Sequence, residues 1–250
     1  MTGRLRHPKR GLTLAPFDEL SDPRLLAELA REAEDAGWDG VFLWDHMVYE
    51  PDAQRISDPW IALAAIATAT TRVRIGPMVT PPGRRRPQKL SREVVTLDHL
   101  SGGRVILGLG LGSDNRGELS PFGDPSDPKE LARRLDDTLE KLPRWWAGEL
   151  QPPPVQQPRI PIWLAGRYPN RRPLRRARDW DGYFPIDMEH PGQLAELAAE
   201  LPGPPFELVT DVEPGDDPQP WADAGATWVL TSFGPRRDAA DVRRVIRARC

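Results

Sequence analysis

Eight strand–helix units within 250 residues predict an α/β chain folded as a single (β/α)8 TIM barrel. Three observations carry this. Short apolar runs alternate with helical patterns from end to end, the helices open with a recurring Asp-Pro or Pro signal, and the length matches the roughly 250 residues typical of such a barrel. An open doubly wound sheet is the alternative, but it more often has five to seven strands, roughly.

The first strand is expected over Leu12–Phe17. Asp22-Pro23 then opens a helix, because Asp accepts from free amides at an N-cap and Pro lacks the donor that a first turn would waste. Leu25, Leu26, Leu29, Ala30 and Ala33 keep helical spacing, and Gly37 supplies the stop. The second strand, Val41–Trp44, runs straight into Asp45-His46. Asp58-Pro59 opens WIALAAIATATT, and Val73–Val79 is the third strand. Pro87 opens QKLSREVVTLDHL, which Gly102-Gly103 closes ahead of a fourth strand, Val105–Leu109. Asp127-Pro128 opens a helix reaching about Trp146, followed by QPPPVQQP (Gln151–Pro158), a stiff extended connection expected on the surface. Strands Ile160–Ala165, Gly182–Ile186, Phe206–Val212 and Thr227–Ser232 complete the set, interleaved with RRPLRRARDW, GQLAELAAEL, a short helix from Asp217-Pro218, and DAADVRRVIRAR. One domain spans 1–250, with 1–10 read as a flexible N-terminal tail.

Composition narrows the function classes. The formal charge of −3 gives no general attraction to nucleic acid or anionic membrane. The one cysteine, Cys250, cannot build a disulfide framework or a thiolate zinc site. The charged start MTGRLRHPKRG has no apolar stretch behind it, and no window approaches the ~20 apolar residues of a membrane span, so a cytoplasmic protein is expected. Four histidines, with no H-x-H, make a metal-dependent barrel hydrolase a poor fit, and no metal site is expected.

In such a barrel the active site lies where the strands end. Asp45-His46 would then stand on one rim with Phe17-Asp18, Thr80-Pro81, Gly110 to Asn115, Gly166-Arg167, Asp187, Asp211 and Ser232. A plain reading of Asp45-His46 as a cap or a satisfied surface pair stays open.

The segments AELAREAEDAGWDGVFLWDHM, DPWIALAAIATATTRVRIGPMVTP and REVVTLDHLSGGRVILGLGLG resemble the luciferase-like flavin-dependent oxidoreductases. That superfamily includes bacterial luciferase, alkanesulfonate-type monooxygenases and deazaflavin F420-dependent enzymes. The resemblance runs from about Gly11 to Ser232, and LSGGR-V-x-LG-x-GLG is its most specific part. Met78–Pro87 and Pro169–Ala177 resemble the actinobacterial-type branch.

The resemblance implies a TIM barrel with trimmed insertions, a bound F420 or FMN, a small organic substrate and, in some members, a homodimer in which WIALAAIATATT could take part or simply pack on the barrel. It implies a cofactor ring across the strand ends, bordered by Asp45-His46, with His46 the candidate for proton transfer. Thr80 would donate to the ring, in a strand that in several relatives carries a bulge of unusual peptide geometry. Gly110 and Gly112 would let the ring approach, since glycine has no Cβ. The cofactor phosphate would sit after strand five, at Ala165, Gly166, Arg167, Asn170 and Arg171, with Arg175 and Arg176 read as a solvated face. Arg84-Arg85-Arg86 is either a solubilising loop or a trap for an anionic cofactor tail. GELQPPPVQQPR (Gly148–Arg159) replaces a longer insertion of the relatives and, read as a shortened cover, implies a more open site. Hydride transfer is the reading that follows. A monooxygenase using reduced FMN and O₂ and a degenerate non-catalytic flavin binder are its alternatives.

Overall fold

The computed structural model describes residues 7–49 and 51–248. Its eight strands are β1 (Lys9–Leu14), β2 (Gly40–Leu43), β3 (Arg74–Pro77), β4 (Leu107–Leu109), β5 (Ile162–Arg167), β6 (Gly182–Ile186), β7 (Glu207–Val212) and β8 (Trp228–Phe233). All pair in parallel, in the order β3-β2-β1-β8-β7-β6-β5-β4. The bridges Ile75↔Val105 and Thr80↔Leu109 join β3 to β4, so the barrel is nearly closed.

The helices are α1 (Pro23–Asp35), α2 (Pro59–Ala69), α3 (Pro87–Ser101), α4 (Pro128–Arg144), α5 (Arg171–Ala177), α6 (Pro191–Ala198), α7 (Gln219–Asp223) and α8 (Ala239–Arg247). The Asp-Pro signals act as expected. Asp22, Asp58 and Asp127 each accept an amide of the first turn, a cap worth about 1 kcal/mol. Gly102 ends α3 in the left-handed region, at φ 67. No described helix is long and apolar enough to cross a membrane.

Only β6 keeps its expected bounds; the other strands shift by one to three residues at one or both ends, and two of these shifts matter. β1 begins at Lys9, so Lys9 and Arg10, expected in the tail, belong to a strand. Lys9 and Arg10 lie over the rings of Trp228 and Trp38 and pair with β8. Residues 1–6 of that tail, and Cys250, lie outside the described residues. β3 stops at Pro77, where the chain changes partner. Met78 N donates to Leu43 O of β2 (2.7 Å), whereas Thr80 N donates to Gly108 O of β4 (3.0 Å). The Met78–Val79 peptide between them is cis.

Alternate residues of the strands point inward and fill the barrel, while the others pack under the helices. Phe42, Trp163 and Trp228 meet inside with ring centroids 5.7, 5.8 and 5.4 Å apart. Ile106, Val209 and Leu230 complete this plug. It divides the barrel, leaving a cavity at the strand C-termini and a smaller one of about 520 Å³ at the strand starts, lined by Lys9, Arg74, Glu207, Trp163 and Trp228. Gly76 is what lets β3 approach β4: a Cβ there would stand 1.8 Å from Ile106 O.

The LSGGR block lies at the opposite end from the C-terminal cavity. Arg104 is buried and donates to Ala67 O and Thr70 O at the end of α2, to Ser101 O at the end of α3, and to Val73 O just before β3. The Pro-rich connection is held at this end too. Asp98 accepts from Val155 N and Gln156 N, and His99 Nε2 bonds Pro153 O. A helix-to-strand connection belongs to the N-terminal face, so Gly148–Arg159 cannot act as a cover for the mouth. The expectation of a more open site drawn from it is therefore corrected.

Candidate active site

The strand ends enclose a cavity of about 980 Å³, at the upper end of the ~300–1,000 Å³ usual for small-molecule sites. Its shelf is apolar: Met78 and Val79 after β3, Leu111 after β4, and Phe184 and Ile186 of β6. Polar residues stand on the lip, among them Ser113, Asn115, Arg116, Arg167 and Asn170. An apolar lining with polar residues at its exposed edge suits an aromatic redox ring carrying an anionic tail, so the residues present fit a flavin-type cofactor.

His46 lines this cavity and keeps about 30% of its side chain exposed. The rings of Phe17, Trp44 and Tyr49 surround it, with Tyr49 4.9 Å away between centroids. Its Nδ1 forms a short hydrogen bond with Glu118 Oε1. An ionised carboxylate only accepts, so Nδ1 carries the proton in that arrangement and Nε2 is the ring nitrogen left outside that bond.

Glu118 is also gripped by Arg84, whose Nη1 donates to Glu118 Oε2 at 2.8 Å. The other end of the same guanidinium donates to Asp45 Oδ1 at 2.6 Å. Arg85 Nη2 donates to Asp45 Oδ2 at 2.9 Å, and the Thr80 hydroxyl adds a short hydrogen bond to the same oxygen. Asp45, Arg84 and Glu118 side chains are only 2%, 5% and 8% exposed. Burial alone would raise the Asp45 pKa, but the charges of Arg84 and Arg85 and the bonds from Thr80 and Arg84 outweigh it and hold it below the ordinary carboxylate range.

This network changes four expectations. Asp45 is a fixed, ionised anchor, so it positions its neighbours and is not a proton carrier near neutral pH. Thr80 is fully buried and accepts from Arg85 Nε (3.0 Å) while donating to Asp45, so its hydroxyl is spent and does not line the cavity. Arg84 and Arg85 are neutralised inside the protein; of the triplet, only Arg86 is exposed. Arg171 turns away from the cavity toward Glu196 and Glu200, at 3.8 and 3.5 Å.

Gly110, Gly112, Ala165, Gly166, Arg167 and Asn170 all line the cavity. The glycines serve packing as well as access. A Cβ on Gly110 would lie 2.5 Å from Val79 Cγ2, and one on Gly166 would lie 2.3 Å from Pro173 Cβ. Asn170 caps α5 through Arg172 N (3.0 Å), and Arg167 pairs with Asp187.

Reading the strand ends missed Glu118, Trp44, Tyr49 and Arg116. Arg116 lies 4.0 Å over the Tyr49 ring and 3.1 Å from Asp52, tying the β4–α4 loop to the β2–α2 loop. Nothing in local sequence marks Glu118 as the partner of a histidine so distant along the chain.

A family model for "Luciferase-like monooxygenase" matches residues 7–202. An "uncharacterized protein" of Mycobacterium tuberculosis strain H37Rv is 33% identical over 211 residues, covering 75% of this chain and 73% of that protein. The F420-dependent glucose-6-phosphate dehydrogenase of Nakamurella multipartita is 34% identical over 132 residues, covering 51% of this chain but only 38% of that enzyme. Among solved structures, the coenzyme F420-dependent tetrahydromethanopterin reductase of Methanopyrus kandleri superposes with a TM-score of 0.76 at 15% identity, covering 96% of this chain and 97% of that one.

Proposed function

The chain belongs to the luciferase-like monooxygenase family, and from that premise we propose that it is an F420- or FMN-dependent oxidoreductase acting on a small organic substrate. The observation that carries this reading is the cavity itself: an apolar shelf of Met78, Val79, Phe184 and Ile186 with His46 at its edge. Such a cofactor, when bound, supplies hydride transfer.

The chain's own residues bind, orient and move a proton. The shelf takes a ring face and excludes water from it. Arg167, Asn170 and Arg116 line the cavity at exposed positions and would hold an anionic tail there. His46 takes or gives a proton at Nε2, and Glu118 holds its tautomer while Arg84 holds Glu118. F420 is favoured by the relatives whose names specify it, no longer by the Arg84–Arg85 pair.

Calorimetric titration of the purified protein with F420 and with FMN tests the proposal. Saturable, stoichiometric binding of one of them is expected, and binding of neither contradicts it. In the loaded enzyme, His46→Ala is expected to lower turnover by about 10²–10⁴-fold, the usual worth of a general acid–base group, with cofactor affinity little changed.

A further inference from the structure

The polar groups of the cavity divide into two sets. On the β2–β4 side, Asp45, Thr80, Arg84 and Glu118 are bonded to one another. On the opposite wall stand Asp211 of β7, Ser232 of β8 and Thr13 of β1, three neighbouring strands. Thr13 and Ser232 are register partners, and Asp211 pairs with Leu230, one inward position below Ser232. No neighbouring residue satisfies these three, and Asp211 has only its own backbone N–H. The Thr13 hydroxyl is buried without a hydrogen-bond partner. Among the described residues, no other residue bonds the Asp211 carboxyl or the Ser232 hydroxyl. Unpaired polar groups inside a protein are costly, and a wall of them facing a cavity is what a ligand would complete.

We propose that Asp211, with Ser232 and Thr13, is the subsite that receives an uncharged carbonyl or hydroxyl oxygen of the substrate. This rests on the oxidoreductase reading and adds the substrate class to it. No cation bonds this wall, so a carboxylate or phosphate placed here would meet Asp211 without compensation. A neutral oxygen meets donors. Burial pushes the Asp211 carboxyl up to about 6, and the nearby charges of Glu213 and Asp187 push the same way against its own backbone N–H. Glu213 is paired with Arg237 and Asp187 with Arg167, while β8 and β1 present only hydroxyls. Asp211 thus donates to a carbonyl below about pH 6 and only accepts above it.

The test uses cyclohexanone, cyclohexanol and cyclohexanecarboxylate as probes. Their binding is followed by ligand-observed NMR between pH 5 and 8, in wild type and in Asp211→Asn and Ser232→Ala, each with and without saturating F420 or FMN. Cyclohexanone affinity is expected to fall roughly tenfold as pH rises through 6, about one hydrogen bond's worth, while cyclohexanol holds. The carboxylate is expected to bind poorly. Asp211→Asn should flatten the ketone profile and admit the carboxylate, and Ser232→Ala should weaken both neutral probes. Cofactor binding in wild type together with probe profiles indifferent to Asp211→Asn overturns this subsite and leaves the oxidoreductase reading standing. An Asp211-dependent preference for neutral probes in a protein that binds neither cofactor upholds the subsite and overturns that reading.

Discussion

His46 and Glu118 meet across 72 residues of sequence because β2 and β4 end on the same rim. Behind them Asp45 and Arg84 form a buried pair whose value depends on both members being present. Removing one charge from such a pair costs about 3–5 kcal/mol, since the partner stays buried and uncompensated. Asp45→Asn is therefore expected to lower unfolding stability by about that amount at pH 7, measured by denaturant titration. The sign with pH follows from the depressed Asp45 pKa. The stabilisation is fully present above the unfolded carboxylate value of about 3.9 and is lost as pH falls through the lower folded value. The gap between wild type and Asp45→Asn should thus close in acid; a gap that stays constant down to pH 2 would contradict the ion-pair account. Asp45-His46 was legible in sequence because it interrupts a buried strand with two ionisable groups. The roles were not. Whether a carboxylate carries a proton or anchors an arginine depends on what lies within 3 Å, and those partners come from other loops.

At the scale of elements, the punctuation of the helices was readable because capping is local: Asp22, Asp58 and Asp127 satisfy amides two or three residues away. The strands were found but their ends shifted, since pairing is decided by neighbours. β3 stops at Pro77, which has no N–H; Met78 still bonds β2, and past the cis Met78–Val79 peptide Thr80 N turns to β4. Gly76 marks this seam. Gly76→Ala would press a Cβ against the Ile106 carbonyl, which no rotamer change can relieve. It is expected to cost about 1–3 kcal/mol or more, read as a lowered melting temperature. Gly203→Ala, in open space, should leave stability unchanged. Equal effects of the two would refute the close approach of β3 to β4. The Gly148–Arg159 segment shows the opposite failure. Its composition was read correctly as a connection, but its place on the N-terminal face follows from chain direction, and that removes any part in covering the cavity.

For the molecule as a whole, eight units and the length of the chain were enough to foresee the barrel, because each strand–helix unit announces itself locally and closure needs only their number. The position of the cavity followed from the same rule. Its division into an apolar shelf, a saturated ionic side and an unsaturated wall did not, since inward residues of distant strands share no sequence signal. The central claim is that this cavity receives a flat redox ring beside His46. A crystal structure of the protein soaked with F420 or FMN tests it most directly. The account predicts the ring lying on Met78, Val79 and Phe184, with His46 Nε2 facing its reacting edge and Asp211 beyond it. A ring bound elsewhere, or a cavity left empty at saturating cofactor, would contradict it.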